Sequence, residues 1–149
     1  MTYQQANHRD LDEIVNLLSS VGLPSEDVGS HLDGFIVAKD GYKLVGVVGM
    51  QLYGSDTLLR SLAVHPESRS RGIARQLFQR IVVSAQDHGA KRLYLLTTTI
   101  EGLCEKWGFR KIDRKDVPKR ISNTAEFKGL CPKTAVCLYQ NTAEAVRFL

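Results

Sequence analysis

Between residues 57 and 97 the sequence reads strand, loop, helix, strand, and this order restricts the fold more than any other feature of the chain. Residues 57–64 are almost continuously apolar, as expected for a strand covered on both faces. A polar loop containing Gly72 follows. From Arg71 onward Ile73, Leu77, Ile81 and Val82 recur along one side of a helix that Gly89 is placed to stop. Residues 92–97 read as a second buried strand. Two neighbouring strands joined through a helix are parallel and cross over with a right hand. The spacing therefore predicts an α/β architecture with a parallel pair near its centre.

The flanking segments fill out a mixed sheet. Residues 3–6 read as a short opening strand, and Leu11, Ile14, Val15, Leu17 and Leu18 form one helical face ended by Gly22 and Pro24. A second short helix is expected around residues 25–31. Residues 35–38 and 44–53 read as strands joined by a turn at 39–42. Beyond residue 97 come a short helix over 101–107, a break at Gly108, a strand at 109–112, helical pieces around 118–127 and a strand at 134–139. Residues 140–149 carry Ala143, Val146, Phe148 and Leu149 on a tail expected either to dock or to stay flexible. No repeat, low-complexity tract or linker interrupts the 149 residues, so one domain over 1–149 is expected.

Charge narrows the partners. Twenty Lys and Arg against 16 Asp and Glu give +4, a mild excess whose placement matters more than its size. Arg69, Arg71 and Arg75 cluster in the loop, where they suit a small phosphorylated ligand. A later cluster comprises Lys106, Arg110, Lys111, Arg114, Lys115, Lys119 and Arg120. Nucleic acid is not expected as a partner. The longest apolar stretches, such as residues 44–50, fall well short of the roughly 20 residues a membrane helix needs. No membrane partner is expected, and the N-terminus carries no secretory pattern, so a cytoplasmic location is expected. Cys104, Cys131 and Cys137 are an odd number and read as reduced thiols. Their spacing, with no histidine near, does not match a metal site, and no metal is expected.

The loop between the first strand and the helix carries the chemistry. Residues 62–75 read Leu-Ala-Val-His-Pro-Glu-Ser-Arg-Ser-Arg-Gly-Ile-Ala-Arg. Amides at a helix start lack partners within the helix, and with the positive end of its dipole they make an anion site. Gly72 allows a phosphate close to the main chain, and small Ala74 leaves the first turn uncrowded. Neither G-x-x-x-x-G-K-[ST] nor G-x-G-x-x-G occurs, which removes the nucleotide-hydrolase and dinucleotide fingerprints.

The pattern that remains, Arg69-x-x-Gly72-x-Ala74, resembles the acetyl-CoA pyrophosphate loop of the GNAT family of N-acetyltransferases. Leu62-Ala63-Val64-His65-Pro66 is similar to the strand end that precedes that loop. Glu101 through Trp107-Gly108-Phe109 is similar to the family's later helix and Gly-Phe turn. Leu59-Arg60-Ser61-Leu62, Leu95 through Thr99 and the segment from Val117 to Pro132 resemble the small members associated with arsenic resistance. These are in turn similar to the acetyltransferase domain of acetylglutamate synthase.

The resemblance implies a single mixed sheet of about six to seven strands, helices on both faces, and a splayed central parallel pair. It implies acetyl-CoA as co-substrate, bound by Leu62, Ala63, Val64, Arg69, Ser70, Arg71, Gly72, Ile73, Ala74 and Arg75, with Lys106 and Arg110 as further phosphate candidates or as solvated charge. It also implies that the amine of a small amino-acid-like acceptor attacks the thioester directly. The family often dimerises, and a homodimer stands beside the monomer as an expectation.

Catalytic residues follow less directly. The carboxylate the family often carries on the strand before the loop is absent, where Leu58, Leu59 and Arg60 stand. Glu101, Asp56 and His65 are the candidate bases, with a water chain past Thr97–Thr99 as the alternative. Cys104 takes the position of the family's usual tyrosine acid, with Tyr94 as a weaker substitute and burial as the competing role. Arg60 is expected to clamp an acceptor carboxylate through its fork, or else to face solvent or pair with an acidic neighbour. Thr97 and Thr98 complete the acceptor site. The alternative to an enzyme is a noncatalytic acyl-CoA-binding module.

Overall fold

In the computed structural model, which describes residues 1–148, seven strands form one sheet in the order β1-β2-β3-β4-β5-β7-β6. The strands are β1 (Thr2–Gln5), β2 (Phe35–Asp40), β3 (Lys43–Tyr53), β4 (Asp56–Val64), β5 (Arg92–Thr97), β6 (Arg110–Lys111) and β7 (Val136–Asn141). The helices are α1 (Leu11–Ser20), α2 (Ile73–Asp87), α3 (Glu101–Lys106), α4 (Lys119–Ser122) and α5 (Thr142–Arg147). The chain forms two compact units. One comprises Met1–Gln51 with Arg60–Ile81, and the other Leu52–Leu59 with the chain from Val82 onward.

In the first unit β1 and β2 pair antiparallel from Thr2↔Lys39 to Gln5↔Ile36, and β2 pairs antiparallel with β3 from Phe35↔Gly49 to Asp40↔Lys43. The expected turn at 39–42 tightens to two residues because Gly41 takes a φ of 65°. The apolar face of α1 supplies Ile14, Leu17 and Leu18 to a core with Val28, Phe35, Val37, Leu44, Val47 and Ala63. Asp10, itself buried, pairs with Lys39 at 2.8 Å and accepts from the Asn7 amide. The helix expected at 25–31 is instead a 3-10 segment, Val28–Gly34. Asp27 precedes it without capping it, because its carboxylate is used elsewhere.

In the second unit β4 pairs parallel with β5 through Asp56↔Arg92, Thr57↔Leu93 and Leu58↔Tyr94. β5 pairs antiparallel with β7 from Arg92↔Asn141 to Thr97↔Val136, and β6 pairs with β7 at Arg110↔Tyr139 and Lys111↔Leu138. Leu58, Tyr94, Val117, Ile121 and Cys137 form its core. The last strand begins and ends two residues later than its expected span of 134–139. It takes in Gln140 and Asn141 of the expected tail, residues 142–147 form α5, and Ala145 is fully buried.

Candidate functional site

The first unit holds the end of β4, the loop after it and the start of α2. The loop leaves β4 through His65, whose amide donates to the Val45 carbonyl at 2.7 Å, and turns once through a 3-10 segment, Pro66–Ser68. The Arg69 Nε donates back to the Val64 carbonyl at 3.2 Å, which ties the loop to the strand it has just left. Ser70 and Gly72 then take φ values of 65° and 76° on either side of Arg71. The left-handed Gly72 also explains why α2 begins at Ile73 and not at the expected Arg71: a residue with that φ is not helical.

Among the described residues, the amides of Ser70, Arg71, Gly72, Ile73 and Ala74 donate no hydrogen bond within the protein, and the first helical bond beyond them runs from the Gln76 amide to the Gly72 carbonyl. A Cβ placed on Gly72 would meet nothing within 4 Å, so the space beside these amides is open. Such a concavity of unpaired amides at a helix start holds anionic oxygens. Arg71 faces Asp40 at 3.5 Å with both side chains about half exposed, a weak pairing that leaves its charge available to a ligand. Packing fixes the helix behind the loop. Gly46 of β3 lets Leu77 and Ile73 lie close, where an added Cβ would stand 2.9 and 3.1 Å from their methyl carbons.

Arg60 does not present its fork to a ligand. Its Nη1 donates to Asp27 Oδ2 at 2.7 Å and Gln51 Oε1 at 2.9 Å, and its Nη2 donates to Asp27 Oδ1 at 2.6 Å. The place expected for an acceptor carboxylate is filled by Asp27, and the Arg60 side chain is fully buried. Burial pushes the Asp27 carboxyl up, but the Arg60 guanidinium outweighs it and holds the group below the usual carboxylate range. Pairing with an acidic neighbour, the other reading of Arg60, is the one observed. His31 Nε2 lies 3.9 Å from the same carboxylate.

The catalytic candidates of the second unit are also engaged. Cys104 is buried, and burial drives its thiol up to about 12. Protonating a thiolate whose own thiol lies near 8.5 from such a donor is uphill by roughly three pKa units, about 4–5 kcal/mol. The burial of Cys104 favours the packing role over the acid. Tyr94, buried against Tyr139 with ring centroids 5.3 Å apart, is likewise raised to about 12, chiefly by burial. Glu101 lies 3.2 Å from Lys111, whose hydrogen bond, with a smaller one from Glu105, holds its carboxyl low and makes it a weak base. Asp56 is buried and held by Arg92 at 2.6 Å and Arg120 at 3.8 Å. The Thr97 hydroxyl accepts from the amides of Thr99 and Ile100 and so caps the approach to α3, while Thr98 is exposed.

Four residues of the later basic cluster are taken up by local contacts. Arg114 donates to the carbonyls of Pro132 and Ala135, Arg110 lies over Tyr139, and Lys111 and Arg120 take the ion pairs just described. Trp107 is buried, with its carbonyl accepting from Gln140 Nε2 at 3.0 Å, in the packing role its place beside Gly108 favours. Among the described residues the cysteines form no disulfide, and no cluster of three or more His, Cys, Asp or Glu is arranged to hold a metal ion. Among the described residues no helix is long and apolar enough to cross a membrane.

Sequence reasoning missed Asp27, Gln51 and the left-handed Ser61. Only an arginine inside an apolar strand hinted at them, because a buried guanidinium demands a partner.

The fold is a mixed sheet with an amide-lined loop between β4 and the long helix α2, a geometry suited to an anionic ligand. The family model for the acetyltransferase (GNAT) domain matches residues 31–111, and the chain belongs to that family. An uncharacterized N-acetyltransferase of Chlorobaculum tepidum is 26% identical over 113 residues, covering 75% of this chain and 70% of that protein. In fold the chain is similar to N-acetylglutamate synthase from Neisseria gonorrhoeae, solved with coenzyme A and N-acetylglutamate: TM-score 0.83, 20% identity, 95% of this chain. The match spans only 35% of that longer protein. A Mycobacterium tuberculosis protein solved with CoA is similar over 95% of this chain and 99% of its own, with TM-score 0.78 and 19% identity.

Proposed function

We propose that the protein is an acetyl-CoA-dependent N-acetyltransferase that acts on the amine of a small amino-acid-like acceptor. The observation that carries this reading is the run of undonated amides from Ser70 to Ala74 beside the open face of Gly72. They fit a diphosphate: the amides supply donors, the α2 N-terminus supplies the positive end of a dipole, and Arg69, Arg71 and Arg75 supply charge nearby. Acetyl-CoA brings an activated acetyl group, and its pantetheine arm follows the main chain of Leu62, Ala63 and Val64. The amine nitrogen forms a bond to the thioester carbonyl carbon, the carbon–sulfur bond breaks, and the amine proton leaves as the CoA thiolate gains one.

The chain contributes position and fixed dipoles. The candidate carboxylates Asp56 and Glu101 are each held by a cation, which leaves His65 or water to deprotonate the amine in this reading. The resemblance to small arsenic-resistance-associated members makes arsenic-containing amino acids a natural part of the acceptor panel. A structural relative solved with coenzyme A and N-acetylglutamate supports an amino-acid-like acceptor. With its fork on Asp27, Arg60 does not recognise the acceptor's carboxylate.

The test pairs CoA calorimetry with a thiol-release screen of amino acids, their arsenic-containing analogues and polyamines. Binding should be lost or weakened at least tenfold in Gly72→Val, whose side chain would enter the open face and disfavour the left-handed φ. Unchanged affinity in that variant, folded, would refute the loop assignment. The buried Cys104 and paired Glu101 also favour a second reading, a noncatalytic acyl-CoA-binding module; acetyl-CoA binding with no CoA release across the panel would select it.

A further inference from the structure

One residue of β4 adopts a conformation that strands avoid. Ser61 has a φ of 60°, in the left-handed region that residues with side chains seldom enter. Consecutive side chains of a regular strand point to opposite faces and do not meet. Here they do: Arg60 Nε donates to Ser61 Oγ at 3.0 Å. The burial pattern along β4 changes at the same point, from buried through Arg60 to half-buried at Ser61 and Leu62, then buried again at Ala63 and Val64.

The donor in this bond is fixed from its other side. The guanidinium is gripped by both oxygens of Asp27 and by Gln51, and it lies over the Phe35 ring, 5.7 Å from its centroid. Phe35 in turn rests on Gly49, its partner across the hairpin, where an added Cβ would stand 2.5 Å from the ring. Arg60 is therefore anchored by three side chains, Asp27, Gln51 and Phe35, that are distant from Ser61 in sequence. A rigid planar donor of this kind fixes the acceptor it meets, and Lys, a flexible point charge, would not.

We propose that Arg60 is a positioning residue: held by Asp27 and Gln51, it fixes Ser61 in its left-handed conformation and thereby aims the main chain of Leu62, Ala63 and Val64. The functional consequence rests on the acetyl-CoA reading, in which those groups meet the thioester. The anchoring itself does not.

Arg60→Gln and Ser61→Gly, singly and together, are compared with the wild-type chain by CoA calorimetry, by CoA release from acetyl-CoA with the most active amine of the panel, and by crystallography. In Arg60→Gln, kcat falls at least tenfold, the Kd for CoA moves less than threefold, and Ser61 reverts to a negative φ. Adding Ser61→Gly restores kcat at least threefold, because glycine takes a φ near 60° unaided; a merely structural loss would not be rescued in this way. Retention of Ser61 near 60° in the Arg60→Gln crystal, or an unrescued double variant, overturns the proposal. Should Arg60→Gln not fold, Asp27→Asn is read by the same φ and the same rescue. If the wild-type chain neither binds CoA nor releases it, the acetyl-CoA reading fails, while the φ of Ser61 in the variant crystal still decides this one.

Discussion

Arg60 has no exposed surface on its side chain, so its charge is tolerable only because Asp27 and Gln51 meet it. Removing one member of such a pair leaves the other charged and buried. Asp27→Ala is expected to lower stability by about 3–5 kcal/mol, read from urea denaturation; a loss under about 1 kcal/mol would show that Gln51 and water satisfy the guanidinium. Cys104 makes the opposite prediction for activity. Its thiol is buried and raised to about 12, so Cys104→Ala should cost about 1–2 kcal/mol of stability from lost packing while kcat stays within twofold. A kcat loss of tenfold or more in the folded variant would return Cys104 to the chemistry. That Arg60 needs a partner was legible in its apolar strand. That the partner is Asp27, 33 residues away in sequence, was not.

At the scale of elements, α2 and the loop before it act as one part. The helix start is set by the left-handed Gly72, and its first turns are set against β3 at Gly46, where Leu77 and Ile73 leave no room for a Cβ. Gly46→Val should therefore destabilise by about 1–3 kcal/mol through overpacking. It should also weaken CoA binding, because displaced first turns carry the amides of Ile73 and Ala74 with them. Calorimetry on the folded variant checks this, and unchanged affinity would show that the loop holds its shape without the helix behind it. β5 was legible to the residue because its apolar run ends sharply at both sides. The helix expected over 25–31 is a 3-10 segment that starts at Val28, with Asp27 just before it drawn to Arg60, a contact 33 residues away in sequence.

For the whole molecule, two carboxylates link stability to pH. Burial pushes Asp10 and Asp27 up, but Lys39 with the Asn7 amide, and Arg60, outweigh it and leave both below their unfolded value, about 3.9. The unfolded chain then binds protons more readily than the folded one. Their contribution is fully present above about pH 4 and is lost as pH falls through the lower folded values. Denaturation midpoints measured from pH 6 to pH 2 should fall in that acid range, and Lys39→Met should flatten part of the fall; an unchanged profile would show that Lys39 does not hold Asp10 low.

Taken alone, the amino-acid order determined the seven strands, the long helix α2 and the parallel crossover between residues 57 and 97. These rest on periodicity, glycine positions and turn chemistry acting within a few residues. Only the tertiary structure decided that Arg60 is spent on Asp27, that Ser61 is left-handed, that Cys104 is buried and that Glu101 faces Lys111. Burial and ion pairing depend on which distant segments meet, and short-range patterns carry no record of that meeting.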